Sequence, residues 1–76
     1  MPLGFNHDEI AARLGTDTAR VRRLEEAIRR DLAGDEPLIE LRMIRTIRAM
    51  EDGALSIDEA IVEFERAAER TQGRVA

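Results

Sequence analysis

The chain has 76 residues, a net charge of −4 and no cysteine, enough for one domain whose core sits near the lower size limit for independent stability. A disulfide framework, a thiolate metal site and a metal site built on its one histidine are thereby excluded. Neither a run of about 18 apolar residues nor a basic-then-apolar leader pattern is present, so the expected setting is the cytoplasm, with no membrane contact and no cofactor.

Caps and periodicity predict an all-α fold, a four-helix small domain over residues 1–76 with an N-terminal helix-turn-helix (6–33) and a C-terminal helical hairpin (35–72). Asn6 and Glu9 have capping-box spacing and open the first helix, whose inward residues are Ile10, Ala11 and Leu14. Gly15 closes it, at a point where a tight turn needs a left-handed backbone. Asp17 can cap the second helix, about five turns long, with the inward stripe Val21, Leu24, Ile28 and Leu32 before Gly34. Ala11 suits the close crossing of two helices joined by a short turn.

Asp35, Glu36 and Pro37 start the third helix, because proline fits a first turn and acids suit the positive end of the helix dipole. Its apolar residues exceed one stripe. Ile39, Met43, Ile47 and Met50 make one face, while Leu38, Leu41 and Ile44 continue around the side. A helix apolar on most of its circumference needs cover on two sides. It is therefore expected to be the central helix, or to be buried partly by a second copy of the chain, with Leu38, Leu41 and Ile44 at that interface. Gly53 stops it. Ser56 and Glu59 form another capping-box pair and launch a fourth helix with the stripe Ile57, Ala60, Ile61, Phe64, Ala67 and Ala68. Gly73 is expected to end the order, and the residues before Asn6 and after Thr71 read as loose ends.

Charge is unevenly spread. Residues 1–34 hold six arginines and six acids, and residues 35–76 hold six arginines and ten acids, so the negative excess lies wholly in the second half. The outward face of the second helix carries Thr18, Ala19, Arg22, Arg23, Glu26, Arg29 and Arg30. Near the helix start, Thr18, Ala19, Arg22 and Arg23 are placed to reach base edges, since an arginine fork matches guanine O6 and N7. Arg13, Arg29 and Arg30 would meet phosphates. The competing reading is an ordinary solvated face, because Glu25–Arg29 and Glu26–Arg30 are spaced as helix-surface ion pairs.

The segment EIAARLGTDTARVRRLEEAIRRDL (9–32) resembles the helix-turn-helix in the fourth region of bacterial primary sigma factors. Leu14 and Gly15 match the turn, Asp17 stands at the capping position, Arg20, Val21 and Arg22 match an Arg-Val-Arg core, and Leu24 with Glu25 match the following apolar-Glu pair. Thr18 and Ala19 stand where that family often carries Arg and Glu, and the helices that usually precede the motif are missing. Residues 44–64 more loosely resemble short C-terminal helical hairpins of bacterial proteins.

No phosphate loop, paired carboxylates or nucleophile triad can be assembled, and His7 reads as a solvated residue of a first helical turn. The acids Asp58, Glu59, Glu63, Glu65 and Glu69 read as a solvent face. A non-enzymatic chain is expected. Its reading is a small bacterial helix-turn-helix transcriptional regulator that is homodimeric and binds double-stranded DNA; the alternative is an adaptor holding a protein partner through the third helix and the acidic fourth.

Overall fold

In the computed structural model, which describes residues 6–72, four helices follow one another as α1 (His7–Leu14), α2 (Thr18–Asp31), α3 (Glu36–Glu51) and α4 (Ile57–Gln72), with no strand among the described residues. Of the ends expected to be loose, Gln72 still belongs to α4, while residues 1–5 and 73–76, with the expected stop at Gly73, lie outside the described residues.

Each helix starts on a side-chain cap that satisfies amides its own ladder leaves over. Asn6 Oδ1 accepts from the Glu9 amide at 3.1 Å, Asp17 Oδ1 from the Arg20 amide at 2.8 Å, and Asp35 Oδ1 from the Leu38 amide at 3.4 Å. At α4 the capping box is reciprocal: the Glu59 amide donates to Ser56 Oγ and the Ser56 amide to Glu59 Oε1, both at 3.1 Å. The Ser56 amide contact also holds the Glu59 carboxyl below the usual carboxylate range.

Gly15 ends α1 at φ 67° and ψ 35°, and the Thr16 amide returns to Ala11 O at 2.9 Å. This is a left-handed helix stop that turns the chain into α2. The second turn is less economical. Ala33 (φ 52°) and Gly34 (φ 77°) are both left-handed, and α2 stops at Asp31, about four turns long at 3.6 residues per turn rather than five.

One core joins all four helices through Ile10, Val21, Leu24, Ile28, Met43 and Ile61 among others. Its organiser is α2, not α3. The most extensive helix–helix contact is α2 with α4, and α2 also packs on α1 and α3. Ala27, Ala60 and Ala68 are buried, and small residues let two helix backbones approach closely. Ala27 falls outside the inward stripe read from the sequence because α4 covers a further sector of α2. The acids that meet Arg20 and Arg23 are Asp58 and Glu65, in the same chain order, so α2 and α4 run parallel. Helix α3 follows α2 in sequence, but it buries only one face, with Ile39, Met43, Thr46 and Ile47 inward. Leu38, Leu41 and Ile44 remain 49, 45 and 42% exposed.

His7 is not a solvated cap residue. It donates from Nε2 to Glu25 Oε1 at 2.5 Å and ties α1 to α2, the two side chains being 29 and 14% exposed. Burial pushes the Glu25 carboxyl up, but the hydrogen bonds from His7 and Arg29 outweigh it and hold the group below its usual range.

Candidate functional site

The turn at Gly15 does leave the outer side of α2 in the open. Ala19, Arg22, Arg23 and Arg30 are exposed, and Thr18 and Arg29 are half-buried. Most of the guanidinium groups on and beside that face are nevertheless occupied. Arg23 makes a two-pronged contact with Glu65 of α4, Nε to Oε2 at 2.8 Å and Nη2 to Oε1 at 3.0 Å. Arg29 bonds Glu25 at 3.0 Å and Glu36 at 2.6 Å, and Arg20 lies against Asp17 and Asp58. Arg13 donates to Glu51 at 2.5 Å, and Thr18 Oγ1 to Asp8 Oδ1 at 2.7 Å.

Arg22 alone of the predicted base-edge arginines has no ion-pair or hydrogen-bond partner among the described residues. Arg30 acts only through space on Glu65, whose carboxyl is held below its usual range chiefly by the Arg23 hydrogen bond. Of the two helix pairs foreseen by spacing, Glu25–Arg29 forms as an ion pair. The acids of α4 are therefore not a uniform solvent face: Asp58 and Glu65 turn toward α2, and Glu59 caps its own helix.

A concave surface lies between α3 and α4. Both helices rest on the core, but they splay apart and leave a trough of about 830 Å3. Its floor is Thr46, Ala49, Leu55, Ala60, Phe64 and Ala67. Thr46 Oγ1 donates to Arg42 O at 2.7 Å, so its polar atom is spent on its own helix and its methyl is left for contact. The walls differ in sign. All charged residues that α3 contributes are basic (Arg42, Arg45), all that α4 contributes are acidic (Asp58, Glu59, Glu63), and α2 adds one further acid, Asp31.

No family model, curated protein or solved structure matches this chain.

Arg42 sits over the Phe64 ring, 5.8 Å from its centroid, and so reaches across the trough. Arg45 and Glu63 are exposed and have no ion-pair or hydrogen-bond partner among the described residues. At 100° per residue, Leu38, Arg45 and Ala49 point within about 40° of one another, and Leu41 lies about 40° beyond Arg45. The apolar surface thus continues from the trough over the outer flank of α3, and Val62, 45% exposed, edges the α4 side. Of the three interface residues named from sequence, Leu38 and Leu41 belong to this flank. Ile44 points farther round. Among the described residues no group of His, Asp and Glu side chains could hold a metal ion, and no helix is long and apolar enough to cross a membrane.

Sequence reasoning missed the trough because it depends on where α4 docks. The usable signal was the opposite sign of charge beside the apolar stripes of α3 and α4. Arg42 and Arg45 stand on one, Glu59 and Glu63 on the other.

Proposed function

We propose that this chain is a non-enzymatic interaction module on a helix-turn-helix frame, holding a protein helix in the trough between α3 and α4. The observation that carries this reading is an apolar floor between walls of opposite charge, continued by half-exposed Leu38 and Leu41. An amphipathic helix laid in a groove takes its affinity from such a floor and its direction from such walls. The fitting partner has an apolar stripe flanked by carboxylates on the side meeting Arg42 and Arg45, and by basic groups on the side meeting Glu59 and Glu63. A synthetic helical peptide of that pattern, with leucine as its stripe, is the probe. Titrated into 15N-labelled protein, it is expected to shift the amides of Thr46, Ala49, Phe64 and Ala67, and Ala49→Glu is expected to weaken it without loss of helicity. Absence of shifts at about 1 mM peptide, in protein that sediments as a monomer, refutes the reading.

DNA contact through α2 is the second reading, favoured by the left-handed stop at Gly15 and by Arg22, which has no partner among the described residues, beside exposed Ala19. Against it stand Glu65 and Asp58, which occupy guanidinium groups that phosphates would need and add local negative charge. This reading expects affinity for mixed duplex DNA at about 50 mM salt, lost in Arg22→Ala/Arg23→Ala with helicity retained. No binding by the unaltered chain at that salt retires it.

A further inference from the structure

We propose that the occupant of the trough is a second copy of this chain, seated face to face about a two-fold axis that runs along the trough. The inference rests on the docking reading above and names its partner. Two identical surfaces that meet symmetrically must be self-complementary, each residue facing its counterpart's partner across the axis.

Charge selects the axis. If the two-fold lay across the trough, α3 would face α3 and α4 would face α4, setting Arg42 and Arg45 against themselves and Glu59 and Glu63 against themselves. With the axis along the trough, α3 of one copy lies over α4 of the other, and the basic wall meets the acidic wall twice. Arg45 and Glu63 are the exposed members of those walls without a partner among the described residues, and so are the pair available for this contact. A foreign helix would need the same two-sided charge pattern, whereas a second copy carries it already.

The apolar fringe supports the same occupant. Leu38 and Leu41 on α3 and Val62 on α4 are each more than 40% exposed and flank opposite edges of the trough. A symmetric partner covers both edges at once. One apolar stripe lying in the floor would leave this fringe in water. A chain of 76 residues is also of the size that gains most from burying apolar surface against a neighbour.

The test is charge exchange between copies, read by sedimentation equilibrium. Wild type is expected to be dimeric at about 100 μM. Symmetry places each reversal twice, so Arg45→Glu and Glu63→Arg are each expected to weaken the dimer about tenfold or more, with unchanged helicity by circular dichroism. An equimolar mixture of the two variants is expected to recover the wild-type dimer, because each heterodimer then carries two opposite-charge contacts. A monomeric wild type, a dimer that ignores both reversals, or a mixture that fails to recover would overturn the inference. A monomer that still shows the amide shifts with the probe peptide overturns the second copy and leaves the docking reading standing. A monomer without those shifts overturns both.

Discussion

Replacing Gly15 by alanine isolates the backbone cost of the turn that sets α2 against α1. Gly15 has φ 67°, and a Cβ built there meets nothing within 4 Å. The penalty is therefore conformational, not steric crowding by neighbours. An alanine held in the left-handed region costs about 1–2 kcal/mol, and its stiffer unfolded chain returns about 0.4–1 kcal/mol, so the net loss is about 1 kcal/mol. For a domain of this size that lowers the thermal midpoint by about 4–8 °C. Asparagine, which tolerates this conformation better, is expected to lose less than alanine. Ala33→Gly is the mirror experiment, because Ala33 holds φ 52° with an alanine side chain. Relief of strain there outweighs the looser unfolded chain by the same arithmetic, and the variant is expected to gain up to about 1 kcal/mol. Thermal and urea unfolding followed by circular dichroism gives all three values. A Gly15→Ala chain as stable as the wild type would show that the left-handed stop is not what turns the chain.

Leu24→Ala empties a position that is 1% exposed, at a cost of about 2–5 kcal/mol. Total stability expected for 76 residues is only about 4–11 kcal/mol, so a large fall in the urea midpoint should follow, and a change of less than about 1 kcal/mol would contradict the packing of α2. Ser56→Ala removes the side-chain half of the α4 capping box and should cost about 1 kcal/mol in unfolding free energy. Glu25, Glu59 and Glu65 all titrate below their ordinary value of 4.5 in the folded chain. A depressed carboxylate contributes stability above its unfolded value that is lost as pH falls through the folded one, so unfolding midpoints should hold steady from about pH 7 to 5 and drop below 4.5. A rise in stability on acidification would contradict these contacts.

Local chemistry was legible in the sequence. The caps at Asn6, Asp17, Asp35 and Ser56 and the stop at Gly15 each act within a few residues, and each stands where its spacing put it. The partnering of helices was not legible, because period and capping say which face is apolar but not what covers it. Breadth of apolar surface on α3 suggested a central helix or one covered partly by a second copy. The centre went instead to α2, where Ala27 and the small residues of α4 permit a close parallel approach. The same limit hid the fate of the arginines: Arg23 and Glu65 are 42 positions apart and Arg13 and Glu51 are 38 apart, and no local pattern links them. His7 was misread for this reason, since its partner Glu25 lies a helix away.

The parallel seating of α4 on α2 makes the molecule indivisible. A fragment ending before Ser56 would bare the flank of α2 that holds Ala27, together with the core atoms sheltered by Ala60 and Ile61. On the ribosome, the first two helices must wait for the last to emerge before their interior can dry, and peptides cut between α3 and α4 should regain shape only when mixed.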